Sequence, residues 1–313
     1  MAGLNTARYT HCFYTVTSGN SVGASRIADR NGRKKRDEPF NPFAPNASAQ
    51  RNKRQTERKN VERRPAPARP TTPQGADMVE VRFDRLYLTK PQATVVEDEE
   101  GNRTSTMPPV NDWAVADVSE LDVAESIAAL KEGIPLPVVF AVRPVREGGH
   151  FPGNEKERIA ILEHAVSSNV AWVDLEISIA AKERKALVKA AKAANCQIIA
   201  SQHDVEGTPS AEEIITMVSE NGEHGDVFKY CSTVNDHQDA LQIIDAANTL
   251  STQDSTPLYS LMALGNGGDW ARLHAPTLGQ EMVYATMRDE FRLSDKGLVN
   301  VRDLQDAWRL LEY

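Results

Sequence analysis

The chain has few cysteines and no long apolar runs. Its 313 residues include only Cys12, Cys196 and Cys231, which are too few and too widely separated for a disulfide framework or a zinc site. We therefore expect neither a metal nor disulfides, and a reducing compartment, the cytoplasm, fits this usage best. No stretch provides the roughly 18 uninterrupted apolar residues that a spanning helix requires, so the sequence predicts no membrane partner.

Nucleotide-binding motifs are missing as well. No Gly-x-Gly-x-x-Gly opens a helix after an apolar strand, and no Walker A sequence is present. The glycine-rich stretch GNGGD at 265–269 does not have the spacing that cradles a pyrophosphate. We therefore expect no bound cofactor.

The two signs of charge are distributed unevenly along the chain. Residues 1–75 contain fifteen Lys and Arg against five Asp and Glu, a balance of +10; the whole chain carries −8, which leaves −18 for residues 76–313. Large apolar side chains are nearly absent between Asn31 and Gln74, so little surface is available to offset ordering entropy. The composition predicts a mostly disordered, basic and Pro-rich extension over 1–75. Within it, only CFYTVTS (Cys12–Ser18) has the composition of a strand.

The basic extension suggests more than one interpretation. Lys and Arg bind nucleic acid by releasing counterions from phosphate, but only Phe40 and Phe43 offer stacking faces, and no zinc-finger or helix-turn-helix spacing is present. A solvated tail explains the composition more simply, so nucleic acid is not an expected partner. The first thirty residues, nearly free of acids, loosely suit a transit peptide.

From residue 76 the chain alternates between strand and helix patterns. MVEVRF (78–83) has period two, and helical spacing and strand runs then follow one another with short connections. Ser210 is predicted to cap one of the helices, and the charged stretch Tyr87–Asn111 is predicted to be an exposed insertion. The pattern implies a parallel sheet, either a closed barrel or an open doubly wound sheet. Because no nucleotide motif is present, we favour a barrel that forms the catalytic domain, residues 76–313.

One lysine lies inside a predicted buried strand. Lys229 stands in DVFKYC between Phe228 and Tyr230. Burial penalises the ammonium form, so we expect desolvation to lower the pKa of Lys229 and to free its amine as a nucleophile. The alternative is a lysine at the end of the strand whose ammonium reaches water.

Other polar residues stand in the predicted strands or at their ends, where barrels place catalytic groups. His203 ends QIIASQHD and is suited to proton transfer, and Arg143 ends VVFAVRP, with Glu147 and two glycines behind it. Two further strands carry charged residues at alternating positions: Glu80, Arg82 and Asp84 on one, and Asp174 and Glu176 on the other. A neutral lysine beside a proton shuttle suggests imine chemistry on a ketone, and arginines suggest a carboxylate or phosphate on the substrate. A purely structural ion-pair network would use the same charges.

The order of these pieces resembles the type I 3-dehydroquinate dehydratases. The matching pieces are GADMVEVRFDRL, FAVRPVREGG, VDLEI, SQHDVEGTPS, DVFKYCSTV and the tail from LMALG through SDKGLVNVRDL, which together span roughly three quarters of the chain. The resemblance implies a (β/α)8 TIM barrel whose first β/α unit is irregular. It also implies a lyase of the shikimate pathway, which leads to aromatic amino acids. The reaction would convert 3-dehydroquinate to 3-dehydroshikimate and water through a lysine imine.

The resemblance assigns a role to each matching residue. Lys229 would attack the C3 ketone. His203 would take the C2 proton, assist loss of the C1 hydroxyl, and help make and hydrolyse the imine. Arg272 would hold the substrate carboxylate. The other substrate-binding residues would be Glu80, Arg82, Arg143 and Ser294, and the supporting residues would be Glu147, Glu176, Met262 and Tyr284. The implied partner is the small-molecule substrate, and homodimers are common in the family.

Three features depart from the family pattern. The family's closing lid reads Ser-Ala-Pro-Gly-Gln, whereas the segment from Ser294 to Leu298 reads SDKGL, so we expect weaker substrate binding or lid closure. The insertion Tyr87–Asn111 lengthens the connection after the second strand. Finally, the basic segment stands where the first strand and helix belong. Either CFYTVTS is strand one, or residues 1–75 come from a wrong start or a frameshift.

Two other functions stay open at this point. A class I aldolase would also use a barrel lysine, although the His-Asp strand end and the Arg-Glu-Gly-Gly stretch fit the dehydratase better. The alternative that is not an enzyme is a catalytically impaired barrel, which is tethered to a polyanion by its basic tail.

Overall fold

The computed structural model describes residues 12–17, 75–97, 103–254, 256–265, 267–287 and 297–313. Apart from Cys12–Thr17 and Gly75, the basic extension lies outside the described residues, and so does Ser294.

Strands and helices alternate through most of the described chain. The strands are β1 (Cys12–Thr17), β2 (Met78–Arg82), β3 (Leu88–Thr89), β4 (Thr94–Glu97), β5 (Arg103–Thr106), β6 (Ala114–Val115), β7 (Val138–Ala141), β8 (Trp172–Glu176), β9 (Gln197–Asp204), β10 (Val227–Val234), β11 (Tyr259–Gly265) and β12 (Met282–Ala285). The helices are α1 (Val123–Gly133), α2 (Glu155–Ser167), α3 (Ala181–Ala193), α4 (Ala211–Asn221), α5 (His237–Ser251), α6 (Gly268–Leu273) and α7 (Val301–Leu310).

Eight of the strands form one curled sheet in the order β11-β10-β9-β8-β7-β2-β1-β12. Strands β2 and β7 to β11 pair in parallel, as the β-α pattern predicts for a barrel. The predicted strand in CFYTVTS is confirmed as β1, but it runs antiparallel to both of its neighbours, β2 and β12. An antiparallel neighbour requires no crossover helix, which agrees with the missing helical pattern between residues 31 and 74.

The barrel closes between β11 and β12 through one backbone bond, from the Glu281 N–H to the Tyr259 carbonyl at 2.9 Å, and through side chains. The Gln280 amide pairs with the backbone of Leu261, accepting at 2.6 Å from its N–H and donating at 3.1 Å to its carbonyl. The Ser260 hydroxyl donates to the Met282 carbonyl at 2.7 Å. These two buried polar side chains thus satisfy backbone groups that a regular ladder would otherwise satisfy.

Alternate residues of the strands face two different cores. Val139, Ile199 and Val227 belong to a cluster that includes Met78 and Met282 from β2 and β12, whereas their sequence neighbours pack with the outer helices. Because side chains alternate across a strand, Val139, Ile199 and Val227 line the inside of the barrel. They form an apolar floor, above which the same faces of the strands carry polar residues.

Helix boundaries follow local capping signals. The predicted cap is confirmed, since the Ser210 hydroxyl accepts from Glu213 N–H and the Glu213 side chain bonds back to Ser210. Helix α1 begins at Val123, later than the helical pattern from residue 118, because Asp122 caps it. Helix α6 has no predicted counterpart. It follows Gly267, whose φ of +79° suits glycine.

The insertion after β2 is a small structure of its own. Its stem is the antiparallel pair β3 and β6, and β4 pairs with β5 further out. It therefore extends beyond the predicted end at Asn111 to Val115, and most of its described residues are exposed, as expected.

Candidate active site

A cavity of about 720 Å³ opens at the carboxyl ends of the parallel strands. This is the end at which barrels build their sites. Nine of the residues selected from the sequence line it: Glu80, Arg82, Arg143, Glu147, His203, Lys229, Met262, Arg272 and Tyr284. Glu176 lies behind this wall, fully buried beside Arg143 and Arg158.

Lys229 is buried in β10, with its amine held between acidic side chains. Its Nζ donates to Asp174 Oδ2 at 2.5 Å and lies 3.7 Å from Glu80 Oε2. It also donates to the Tyr284 hydroxyl at 3.4 Å and stands 4.8 Å from the centre of that ring. The lysine therefore points into the barrel and not to water, which excludes the alternative of a solvent-reaching ammonium.

The expected lowering of the lysine pKa is wrong for this arrangement. Burial by itself lowers the pKa of Lys229, but Asp174 and Glu80 outweigh it and raise that pKa above its ordinary value. The resting amine therefore carries a proton. A single sequence could not show this balance, since it depends on two carboxylates from other strands.

Asp174 is the centre of the buried network, although the sequence did not single it out as a site residue. Its Oδ2 accepts from Lys229 and from Arg143 Nη2 at 3.0 Å, and the Ser201 hydroxyl donates to its Oδ1. Burial opposes ionisation of Asp174, but Arg143 and Lys229 hold its pKa well below the usual range. Its signal was present in the alternation of VDLEI, while nothing in the sequence pointed to Ser201.

His203 lies between a carboxylate and a guanidinium. Its Nδ1 is 2.9 Å from Glu147 Oε2 and 2.8 Å from Arg143 Nη1. Burial, with Arg143 and Lys229, lowers the pKa of His203 well below its ordinary value, so the imidazole is neutral at neutral pH. Burial chiefly raises the pKa of Glu147. A neutral imidazole in the cavity is available as a base.

Steric constraints explain the two glycines in the stretch Arg-x-x-x-Glu-Gly-Gly, which runs from Arg143 to Gly149. A short 3-10 turn, Val145–Glu147, carries the glutamate, and Gly148 ends the turn with φ of +73°. A Cβ on Gly149 would lie 1.9 Å from the Arg143 carbonyl oxygen, so only glycine permits this close return of the backbone. The turn places Glu147 against His203, where the Ser178 hydroxyl also holds it.

Asp84 orients the edge of the site formed by β2. Its two oxygens accept from Arg82 at 2.8 Å each. The same carboxylate accepts from the backbone N–H of Arg143 at 3.2 Å and of His150 at 3.0 Å. Asp84 thereby joins the ends of β2 and β7 and leaves Arg82 at the cavity wall.

Arg272 is anchored in the cavity wall by backbone carbonyls. It donates to the carbonyl of Tyr284 at 2.9 Å and to that of Ala263 at 2.8 Å. Its Nη2 is buried and has no hydrogen-bond partner among the described residues. Burial lowers the pKa of Arg272 to about 10, so it is still a cation at neutral pH. An unpaired cationic donor in a cavity wall is suited to an anionic ligand.

Much of the remaining wall, as far as the described residues form it, is apolar. Met262 and Leu298 are buried at the cavity, so the leucine at the end of the lid segment faces the site without a hydrogen-bonding group. Within the part of the chain that the structure describes, no cluster of His, Cys, Asp or Glu could hold a metal ion. Among the same residues, no helix is long and apolar enough to span a bilayer.

Comparison with known families identifies the family and the fold. The family model described as Type I 3-dehydroquinase matches residues 57–313. A 3-dehydroquinate dehydratase of Methanococcus maripaludis (strain C5) is 30% identical over 181 residues, which cover 56% of this chain and 78% of that protein. A 3-dehydroquinate dehydratase of Methanocaldococcus jannaschii is 27% identical over 204 residues, covering 63% and 89%.

Solved structures agree on the fold. The type I 3-dehydroquinate dehydratase of Clostridium difficile, solved with covalent modified comenic acid, superposes with a TM-score of 0.60 at 20% identity. The superposition covers 75% of this chain and 82% of that one.

Proposed function

The chain belongs to the type I 3-dehydroquinase family, and we propose that Lys229 and His203 carry out the reaction of that family in this protein. The activity is that of a 3-dehydroquinate dehydratase, a hydro-lyase of the shikimate pathway. One observation supports the assignment of residues above the others. Lys229 and His203 line the same cavity and are joined through Asp174 and Arg143.

In this proposal the first step is condensation of Lys229 with the C3 ketone. The resting ammonium must first give up one proton, and we assign its acceptance to the neutral imidazole of His203, which lines the same cavity and returns the proton to the departing ketone oxygen. Asp174, 2.5 Å from Nζ, stays ionised. The amine then attacks C3, and the ketone oxygen leaves as water, giving a protonated imine. Ammonium plus ketone gives iminium plus water without net gain or loss of a proton. Asp174 therefore faces one positive charge at Nζ before and after the step.

The second step is removal of the C2 proton by His203. The protonated imine draws electrons from the C2–H bond, and a neutral imidazole accepts the proton. His203 can act in this way at Nε2 only if Nδ1 holds the ring proton and donates it to Glu147. The opposite tautomer, with Nδ1 accepting from Arg143, would leave no lone pair at Nε2. We assign Glu147 the role of fixing the tautomer.

Elimination completes the reaction. The enamine formed at C2 expels the C1 hydroxyl, which leaves as water after taking a proton from His203. Hydrolysis of the conjugated imine then frees Lys229 and releases 3-dehydroshikimate. The imidazole thus ends the cycle neutral, as it began.

Charged groups of the wall orient the substrate. The unpaired Nη2 of Arg272 is the proposed contact of the substrate carboxylate, and Glu80 and Arg82 contact its hydroxyls. Arg143 donates to Asp174 and Ser201 and lies against His203 without a hydrogen bond to it in the assigned tautomer, so in our proposal it mainly orders the two acceptors. Glu176 supports Arg143 from behind.

Borohydride trapping with 3-dehydroquinate tests the assignment of Lys229. Reduction of the imine is expected to attach the ligand covalently to the peptide that contains Lys229, and Lys229→Ala should abolish both adduct and turnover while the thermal melt shows a folded protein. Lys185→Ala, which removes an exposed lysine from α3, is the matched control and should behave as the parent. Near-normal turnover of Lys229→Ala, or an adduct on another peptide, would overturn the assignment.

Two further properties remain predictions for this chain. A homodimer is proposed on the resemblance, and sedimentation of the full chain would test it. A cytoplasmic location is proposed on the cysteine usage, and fractionation of the source cells would test it.

A further inference from the structure

The insertion between β2 and α1 reaches into the catalytic cavity. Asn111 and Val115 from this insertion line the cavity together with Arg82 and Arg85. Because the insertion leaves the barrel at the end of β2, it begins at the same end of the barrel as the site. Two of its side chains thus lie within reach of whatever the cavity holds.

This part of the insertion is held firmly in place. The stem pairs Leu88 with Val115 and Thr89 with Ala114, and the N–H of Ala116 donates to the Tyr87 carbonyl at 2.8 Å. Asn111 itself lies in a 3-10 turn, Val110–Asp112, which Trp113 ends. Trp113 is only 7% exposed, and its Nε1 donates to the Pro108 carbonyl at 3.0 Å. Asn111 and Val115 are thus held in place by the buried Trp113 and by the paired strands of the stem. Side chains that are fixed in this way are suited to ligand recognition.

The two side chains offer different chemistry. In the described part of the chain, the Asn111 side-chain amide has no hydrogen-bond partner, and the residue is exposed. Val115 is 50% exposed, and two more exposed valines, Val145 and Val205, line the same cavity. The wall therefore combines one free amide with an apolar rim above the charged residues of the cavity, which include Lys229.

We propose that the insertion is a substrate-recognition element, in which Asn111 hydrogen-bonds a ring hydroxyl and Val115 contributes to an apolar rim against the ring. The ligand class is a polyhydroxylated ring acid, so the inference rests on the proposed function and deepens it. An amide can donate to and accept from a hydroxyl at once. The rim keeps water from these charged residues once the ring is bound.

Asn111→Ala tests the hydrogen bond. One lost hydrogen bond to a neutral hydroxyl should raise KM about fivefold and leave kcat within twofold. The comparison ligand is 3-oxocyclohexane-1-carboxylate, which has the ketone and the carboxylate but no ring hydroxyls. The concentration of this ligand that gives half-maximal borohydride trapping should be the same in Asn111→Ala as in the parent. Asn248→Ala, an exposed asparagine on α5, is the matched control. Equal losses for both ligands would overturn the hydroxyl contact.

Val115→Ala tests the apolar rim. Removal of two methyl groups from the rim should lower kcat/KM about threefold, whereas Val95→Ala, in the same insertion and 60% exposed but outside the cavity, should have no effect. Unchanged KM and kcat in both Asn111→Ala and Val115→Ala would overturn the inference. The proposed function is tested separately, because both variants would still form the borohydride adduct on Lys229 if the inference alone were wrong.

Discussion

Replacing Asp174 by Asn removes the carboxylate nearest to the reactive nitrogen while keeping its size. Asp174 Oδ2 lies 2.5 Å from Lys229 Nζ and 3.0 Å from Arg143 Nη2. An iminium gives up its proton more readily than an ammonium does, so it depends more on a nearby negative charge. We expect the imine nitrogen in Asp174→Asn to lose its proton at a lower pH than in the parent, and a neutral imine does not draw electrons from C2.

The size of this effect follows from the geometry. Two unit charges about 4 Å apart interact by about 4 kcal/mol at an effective dielectric constant of about 20, and one pKa unit corresponds to about 1.36 kcal/mol. Glu80, 3.7 Å from Nζ, stays in the variant and retains part of the attraction. Opposite charges at such distances shift a pKa by about 1–3 units, so we expect about two units. That corresponds to a loss of about 100-fold in kcat at mildly alkaline pH, with a smaller loss at acidic pH.

The assay follows turnover and borohydride trapping between pH 6 and pH 9. The parent should trap a constant fraction, whereas Asp174→Asn should trap less as the pH rises. Because removal of one partner from a buried ion pair costs about 3–5 kcal/mol of stability, unfolding in urea must show that the variant is folded at each pH. Ser201→Ala, which loses the hydroxyl that donates to Asp174 but keeps the charge, should retain the parent profile. A folded Asp174→Asn protein with the parent pH profile would refute the reasoning.

The network supports four further expectations. Glu147→Gln should lower kcat by about 10²-fold or more, because an amide that donates to Nδ1 favours the tautomer of His203 that has no lone pair at Nε2. A kcat equal to that of the parent would show that Glu147 does not fix the tautomer. Arg272→Gln should raise KM for the substrate by about 10- to 100-fold, since a charged hydrogen bond contributes about 1.5–3 kcal/mol, and a smaller rise measured by steady-state kinetics would place the carboxylate elsewhere. Leu298→Gln should lower KM by about two- to tenfold if the new amide reaches the ligand, whereas a higher KM would mean that the leucine contributes by packing. Finally, the folded-state pKa of Asp174 lies below the unfolded value of about 3.9. The ionised carboxylate therefore stabilises the fold fully above about pH 3.9, and this contribution is lost as the pH falls through the folded-state pKa. Urea unfolding at low pH should show that the free energy of unfolding declines less steeply with falling pH in Asp174→Asn than in the parent.

Local sequence was sufficient for most of the barrel and for the composition of the site. Strand and helix periods, the Ser210 cap and the strand in CFYTVTS are properties of a few neighbouring residues, and the described structure has all of them. Lys229, His203, Arg143 and the charged residues of β2 and β8 could be selected because barrels place functional groups at strand ends, where charges in otherwise apolar strands are conspicuous, whereas Arg272, Met262 and Tyr284 were selected only through the resemblance to the family. Helix α6 was not predicted, because six residues that follow a glycine turn are too few for a periodic pattern.

Tertiary structure decided the direction of β1, the protonation of Lys229 and the composition of the cavity wall. Whether β1 runs parallel or antiparallel depends on its neighbours β2 and β12, which stand far from it in sequence. Burial alone would favour a neutral Lys229, but Asp174 and Glu80 arrive from two other strands and reverse the sign of the pKa shift. Asn111 and Val115 join the site only because the insertion folds back over the end of β2. Each of these properties depends on distances between residues remote along the chain, whereas the local pattern of a sequence records only which residues are neighbours within it.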